Sequence, residues 1–337
     1  MTIRDIAKLA GVGKSTVSRI LSNTGYVNEE TRKKVEAVMK EYNYIPSATA
    51  RYLSKGETDT IGVIIPESSN PFYGEVVSGI SALADLNDIS MLLCNTNNNP
   101  EKEAKALRML REHWIKGLIL TPAFDSSDEK DMQGLIQMLK DMNIPVVTLD
   151  RSVLSGTWSS VVFDNFGGAY DAVSALIKGG NSQIGIITGN QKSIVAQERL
   201  GGYLKALEDC RIAINPDYIF ESDSTEGQAY AITKKLLAEK KLPEAMFVCN
   251  NLTSKGFLKA VFEEELVLGK DVCFVGFDHV EALDILNINA SYVERDAVNM
   301  GWIAMQLLLE SFENPDKEIR KQMIPAELVL KGSEKRI

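Results

Sequence analysis

Apolar and polar positions follow two different rhythms along this chain, and the change falls near residue 60. Before it the rhythm is helical. Thr2 with Asp5 marks a helix start, and Ile6, Leu9 and Ala10 then share one face of a short helix from about Arg4 to Ala10. Gly11-Val12 interrupts it, since glycine turns sharply without steric cost. A second helix runs from Lys14 to about Leu21, with Val17, Ile20 and Leu21 inward and Ser15, Ser18 and Arg19 outward. Asn28 caps a third, about Glu29 to Tyr42, whose Val35, Val38, Met39 and Tyr42 recur at helical spacing. Two short helices around a glycine turn, with a third to bury their shared face, predict an all-α helix-turn-helix head. In that geometry the second helix enters a DNA major groove N-terminus first. Lys14, Ser15 and Arg19 then reach base edges, while Thr16, Ser18 and the first amides meet phosphates.

From residue 61 short buried runs alternate with helical stretches, the pattern of parallel α/β architecture. Ile61–Ile65, Met91–Cys94, Gly117–Leu120 and Pro145–Leu149 read as strands, with a helix from about Phe72 to Asn87 after the first. A polar connector, Arg151 to Ser159, follows. The alternation then restarts with Val161–Phe163, Ile184–Ile187, Met246–Val248 and Val272–Val275. About 280 residues exceed a single core and suit two, so the body is expected to be two parallel-sheet lobes.

Charge separates the two parts again. Residues 1–55 carry 10 Lys/Arg against 5 Asp/Glu, whereas the remainder carries 27 against 41 on a chain of net charge −9. Only the head is built to approach phosphates. One motif there misleads. Gly11-Val-Gly-Lys-Ser-Thr16 looks like the tail of a phosphate-binding loop, but the first glycine of that motif falls on Lys8, and a helix rather than a strand precedes it.

The run Thr2-Ile-Arg-Asp-Ile-Ala-Lys-Leu-Ala-Gly-Val-Gly-Lys-Ser-Thr-Val-Ser-Arg-Ile-Leu21 resembles the N-terminus of the lactose repressor family of bacterial transcription regulators. Asn28-Glu-Glu-Thr-Arg-Lys-Lys-Val35 and Tyr44-Ile-Pro46 do so too, and the resemblance continues through the chain. It departs at Gly13, where a Ser-like cap is usual, and at Ser47, where Asn is common. The resemblance implies a homodimer that reads a pseudo-palindromic double-stranded operator. Its DNA contacts would come from Thr2, Lys14, Ser15, Thr16, Ser18, Arg19, Ser22, Asn28, Tyr44, Ser47, Ala50, Arg51 and Leu53. Residues 1–46 would form the head and 47–59 a hinge that becomes helical on DNA. There Leu53 would act as an apolar wedge that kinks a base step. Residues 60–337 would form a periplasmic-binding-protein-like body. Its first lobe would span about 60–159 and 291–321, its second about 160–288 and 322–337. The chain would cross near Ser160, Ile288 to Ser291, and Arg320 to Ile324.

A ligand between such lobes sits at the carboxyl ends of the strands. That rule selects Ser68, Ser69, Asn70, Phe72 and Tyr73, then Phe124, then Asp150-Arg151 in the first set. In the second it selects Asp164 and Asn165, Gln191, Asn250-Asn251, and Asp278. Asp, Asn and Arg beside aromatic rings suit a sugar, with polar groups on vicinal hydroxyls and rings on the C–H face. The resemblance adds Arg199, within Glu198-Arg-Leu-Gly-Gly-Tyr203, as an effector contact, and makes Asp278 an acceptor for a ring hydroxyl. Structural readings stand beside these: Asp164-Asn165 as a helix cap, Phe72 as core, Arg199 as a surface ion pair, Asp278 as a turn residue. Two departures, Asn251 where Asp is common and Glu294 where Gln is common, redistribute the acceptors. A neutral monosaccharide is the leading effector. A sugar acid or phosphosugar paired with Arg151 and Arg199 is the alternative, and a purine corepressor is a weaker one.

Composition narrows the rest. No apolar run reaches the ~18 residues of a membrane span, and Met1-Thr-Ile-Arg opens into the first helix rather than a signal peptide, so a bacterial cytoplasmic, nucleoid-associated protein is expected. Cys94, Cys210, Cys249 and Cys273 lack metal or redox spacing and read as buried, reduced thiols. His113 and His279 lie far apart, so neither an enzyme, a metal nor a cofactor is expected. No heptad repeat follows Gly332, which favours a dimer over a tetramer. Two other functions stay open: a sugar-binding protein without a DNA role, and a catabolite regulator governed by a phosphorylated carrier protein as corepressor.

Overall fold

Helices α1 (Ile3–Leu9), α2 (Lys14–Ser22) and α3 (Glu29–Glu41) form the head of the computed structural model, which describes residues 1–22, 25–44, 58–126, 129–151, 153, 156–314 and 318–336. Local chemistry sets each start. Thr2 and Asp5 make a reciprocal capping box: the Asp5 carboxylate accepts from the Thr2 amide at 2.8 Å, and Thr2 Oγ1 accepts from the Asp5 amide at 3.4 Å. Asn28 Oδ1 caps α3 by accepting from the Glu30 amide at 2.9 Å. Gly11 adopts φ +66°, the left-handed conformation that turns α1 into α2. The core is Ile6, Ala7, Val17, Ile20 and Val35. Two inward assignments are corrected: Leu9 and Tyr42 are exposed, because α1 turns Ala7 rather than Leu9 beside Ile6.

The body holds two six-stranded sheets. The first is ordered β2-β1-β3-β4-β5-β11, from β1 (Thr60–Ile65), β2 (Ser90–Asn95), β3 (Gly117–Leu120), β4 (Val146–Leu149), β5 (Ser159–Phe163) and β11 (Lys321–Ile324). The second is ordered β7-β6-β8-β9-β10-β12. Its strands are β6 (Ile184–Thr188), β7 (Ile219–Glu221), β8 (Ala245–Val248), β9 (Cys273–Phe277), β10 (Ser291–Glu294) and β12 (Glu327–Val329). Among the described residues all strand pairings are parallel except β10 with β12.

The expected crossings are corrected by this pairing. Val161 and Phe163 were assigned to the second lobe, yet β5 pairs with β4 and packs in the first core with Ile324. Ser291–Glu294 was assigned to the first lobe, yet it pairs with β9. Met323 and Ile324 lie on β11, paired with β5, and not in the second lobe. A parallel strand must finish its ladder before the chain can leave the sheet. The crossings therefore fall just beyond the strands, at Asp164, at Arg295-Asp296 and between Ile324 and Glu327. The first two are built alike. Asp164 caps α7 (Asn165–Lys178) through the Gly167 amide at 2.7 Å, and Asp296 caps α12 (Ala297–Glu313) through the Asn299 amide at 2.9 Å.

Between these strands run α4 (Pro71–Asp85), α5 (Pro100–Glu112), α6 (Glu129–Met142), α8 (Ile194–Asp209), α9 (Glu226–Ala238), α10 (Asn251–Glu263) and a short α11 (Glu281–Ile285). No helix among the described residues is long and apolar enough to cross a membrane. Cys249 and Cys273 are buried as expected, whereas Cys210 is exposed and Cys94 only half-buried. Helix α12 packs against α4 across paired glycines. A methyl added to Gly79 falls on the Val298 carbonyl, and one added to Gly301 falls on the Val76 carbonyl. This contact holds the middle of α4 against the first turns of α12.

Gly79→Ala is therefore expected to lower unfolding free energy by roughly 1–3 kcal/mol in urea titrations, as overpacking does. Gly74→Ala, in the same helix with open space around it, should be neutral or raise it by up to about 1 kcal/mol. Equal effects from the two substitutions would show that the close approach of α4 and α12 carries no constraint.

Candidate ligand cleft and DNA-facing head

The carboxyl ends of both sheets face one another across a cavity of about 780 Å³. Asn70, Phe72, Tyr73, Phe124, Asp150, Arg151, Arg199, Asn251 and Asp278, all singled out by sequence, line it. Five of the selected residues do not: Ser68, Asn165 (which instead anchors Arg199), Asp164, Gln191 and Glu294. Asp164 is spent on the α7 cap. Gln191 folds onto its own loop, donating to Gly189 O at 2.8 Å and Thr188 Oγ1 at 3.2 Å. Glu294 pairs opposite Glu327 on β10 and faces solvent, because strand alternation buries its neighbour Val293.

The first residue beyond that strand, Arg295, takes the central place. Its Nε and Nη2 donate to the two oxygens of Asp278 at 2.5 and 2.9 Å, and Nη1 donates to Asp150 at 2.9 Å. Asp150 ends β4 of the first lobe and Asp278 ends β9 of the second, so one guanidinium joins the two sheets. Both aspartates adopt left-handed backbone, at φ 59° and 71°, which Asp tolerates better than most side chains. The guanidinium lies 3.8 Å from the Phe72 ring centre, a cation–π contact, with Phe163 and Phe277 beyond. Burial works against the charge on Arg295, but Asp278 and Asp150 more than reverse this and raise its pKa. Tyr73 donates to the other oxygen of Asp150 at 3.2 Å, and burial, then Asp150, pushes its phenol upward. Phe72 thus serves both core and cleft.

Two further contacts cross between the lobes. Asn251 Nδ2 donates to Asn70 Oδ1 at 2.8 Å, and the Val195 amide, in the first turn of α8, donates to Asp125 at 3.3 Å. Asp125 escaped the sequence reading although it lies one residue past Phe124. The strand-end rule reaches both it and Arg295, once β10 is known to stop at Glu294.

Each remaining arginine is anchored by neutral groups. Arg151 Nη1 donates to Asn98 Oδ1 and to the carbonyls of Pro122 and Ala123 at 2.8–3.0 Å. Arg199 donates through Nε and Nη2 to Asn165 Oδ1 at 3.0 and 2.9 Å, and through Nη1 to the Cys249 carbonyl. It is 5% exposed, which excludes a surface ion pair, and it stacks 3.8 Å from the Phe277 centroid. Burial, then the nearby Arg295 charge, lowers its pKa.

Behind the 121–126 loop sits Glu103 of α5, a buried carboxyl that accepts from the Ala123 amide at 2.7 Å. It holds from below the loop that Arg151 holds from the side.

In the head, Lys14, Ser15 and Arg19 are exposed on one side of α2, with Thr16 and Ser18 half-buried. The hydroxyl of Thr2 donates to Asp5, the side chain of Asn28 caps α3, and Tyr44 packs on the core, so these three have structural partners. Ser47, Ala50, Arg51 and Leu53, and the side chain of Ser22, lie outside the described residues.

A basic helix-turn-helix head joined to a two-lobed cleft defines a ligand-binding DNA regulator. Residues 2–47 match the family model of bacterial regulatory proteins of the lacI family, and 58–327 match that of periplasmic binding proteins and the sugar binding domain of LacI family; the chain belongs to this family. Among its relatives, the ribose operon repressor of Haemophilus influenzae is 33% identical over 333 residues, 98% of each chain. The HTH-type transcriptional repressor PurR of Histophilus somni is 31% identical over 334 residues, 99% of each. Among solved structures, the lac repressor dimer bound to operator and the anti-inducer ONPF aligns at TM-score 0.85 and 28% identity, covering 99% of both chains. A transcriptional regulator CelR–cellobiose complex aligns at TM-score 0.73 and 25% identity with the same coverage.

The buried carboxyl of Glu103, on α5 behind the loop, is expected to couple stability to pH. Burial pushes Glu103 up from 4.5 to about 7, against the Ala123 amide and the Arg151 charge, which pull it down. The folded chain then holds a proton that the unfolded chain has released, and stability falls as pH rises from about 4.5 to about 7. Glu103→Gln, which keeps the acceptor oxygen, should flatten that slope and leave the variant more stable than the parent above pH 7, by on the order of 1 kcal/mol. Urea titrations across pH 4 to about 8 test this; coincident profiles would show that Glu103 is ionised without cost.

Proposed function

We propose that the chain is a homodimeric repressor whose affinity for a pseudo-palindromic operator is set by a sugar or sugar-derived effector in the interlobe cleft. Family membership supplies the DNA-binding repressor and the ligand-binding body. The observation that carries the regulatory step is that the cleft is bridged from both sides by side chains at strand ends, Asp150 and Asp278 through Arg295 and Asn70 through Asn251. A ligand there touches both lobes at once, so its binding free energy depends on how they are set. Linkage makes the effect reciprocal: an effector that weakens operator binding is itself bound more weakly on operator.

On this reading Lys14, Ser15 and Arg19 read bases, Leu53 wedges a step in the minor groove, and the cleft residues hold the effector. The test uses the full chain and a duplex selected from a randomised pool, followed by fluorescence anisotropy. Binding should weaken steeply with salt, since each phosphate contact releases counterions. Leu53→Ala should cost the selected duplex about tenfold or more in affinity while leaving random duplex nearly unchanged. Absence of any binding at micromolar protein and low salt overturns the regulator reading. An unaltered ratio in Leu53→Ala removes only the wedge.

A further inference from the structure

Three side-chain contacts between the lobes stand at different distances from the places where the chain crosses. It crosses at one edge of each sheet, at β5 and β11 in the first and at β10 and β12 in the second. Arg295 and its two aspartates lie at the ends of β4 and β9, each one strand in from β5 or β10. Asp125 follows β3, two strands from β5, and Val195 follows β6, three strands from β10. At about 4.8 Å per strand these are ~10 and ~14 Å from the crossings. Opening the cleft about its crossings therefore separates Asp125 from Val195 further than it separates Arg295 from Asp150. The bond between Asn70 and Asn251, at the ends of β1 and β8, lies as far out but joins two neutral amides. Asp125 brings a carboxylate.

Each half of the Asp125 contact is held in place by its own lobe. Glu103 and Arg151 grip the loop at Pro122 and Ala123, so Asp125 projects from a fixed base, itself buried. In the second lobe Ser193 caps α8, its Oγ accepting from the Ala196 amide at 3.4 Å. The Val195 amide is in the first turn, where no carbonyl of the helix can reach it, and it donates to the Asp125 carboxylate of the other lobe at 3.3 Å. A negative charge there also meets the positive end of a 16-residue helix. Arg199 follows Val195 by one turn on the same face of α8. The bond that holds the start of the helix thus sets where Arg199 stands relative to the first lobe.

We propose that Asp125 is the latch of the cleft: from the first lobe it caps the helix of the second that carries Arg199, and so holds the two lobes in their present setting. Arg295, close to the crossings, is the pivot, and Asp125, further out, is the catch. Asp125 is a positioning residue, acting on an effector through the setting of the lobes and the place of Arg199. It also lines the cavity. A role confined to touching a ligand would leave the ligand-free chain unchanged, so the ligand-free chain is where the two roles part. The consequence for operator binding rests on the cleft being the regulatory ligand site.

The test is hydrogen–deuterium exchange of the full, ligand-free chain, read residue by residue by mass spectrometry, beside the duplex titration. Asp125→Ala should speed exchange of the Val195 amide about fivefold or more, the upper end of what a charge at a helix terminus contributes to an equilibrium. The amides of Tyr203 and Ala206, further along α8, should keep their rates. Asp125→Asn keeps an acceptor oxygen without the charge and should give a smaller rise; it carries the test if Asp125→Ala does not fold. No rise at Val195 in either variant overturns the latch. A rise spread evenly along α8 does so too, since it reports loss of the helix. Without ligand, Asp125→Ala should also change the affinity for the selected duplex by about twofold or more. Faster Val195 exchange with an unaltered duplex affinity overturns the regulatory reading of the cleft and leaves the latch standing. A changed duplex affinity with Val195 exchange unaltered does the reverse.

Discussion

One guanidinium holds the ends of two sheets together. Arg295 reaches Asp150 in one lobe and Asp278 in the other, and each ion pair has both partners less than a tenth exposed. Removing such charges from water costs several kcal/mol per ion before any attraction is counted. The site offsets this with bidentate geometry at Asp278, a second donor on Asp150 from Tyr73, and aromatic rings around the cation. The left-handed backbone of both aspartates belongs to the same arrangement, because it sets each carboxylate at the end of its strand. Such a cluster contributes geometry more than net stability. Losing one partner would strand a buried charge, so releasing either aspartate is costly unless another group takes its place.

That constraint explains why the crossing segments lie where they do. Each lobe completes five consecutive strands before the chain leaves it, and each departure passes an aspartate that caps the first helix on the other side, Asp164 in one case and Asp296 in the other. Arg295 directly precedes the second of these caps. It therefore sits on the covalent connection between lobes as well as on their non-covalent one. A rotation of the lobes would bend the backbone at 295–296 and load the Arg295–Asp150 pair, the one of the two that reaches across to the first lobe. The glycine-lined contact between α4 and α12 gives this segment a fixed anchor on the first lobe.

Much of this was legible in the sequence, for identifiable reasons. The head could be read because its signals are local: a capping box, a glycine turn and helical spacing lie within a few residues. The strands of the body could be read because both faces of a parallel sheet are buried and leave continuous apolar runs. The strand-end rule found part of the cleft lining, including Asp150, Asp278 and Asn251. The lobe assignment of β5, β10 and β11 was not legible, because which sheet a strand joins is decided by partners far along the chain. Arg295 was missed for a related reason. The family pattern points to Glu294, where Gln is common, whereas the residue that enters the cleft is the next one, just past the end of β10 on a crossing whose place depends on distant pairing. Gln191 satisfied the rule but not the geometry, since its amide found acceptors in its own loop.

A cleft clamped by its own side chains limits how a ligand can act. A molecule that binds two lobe arrangements equally well shifts nothing, however tightly it binds. Under the proposed reading the effector must therefore distinguish the clamped arrangement from an alternative in which Arg295 releases one aspartate. Binding to the clamped form would leave both ion pairs undisturbed. It stabilises the arrangement already present. Binding that required Asp150 or Asp278 would have to replace the bonds those carboxylates already make, and that cost is subtracted from its affinity. The clamp thus favours ligands that leave those two carboxylates where they are, and which groups the ligand uses and the direction of the conformational shift become one question.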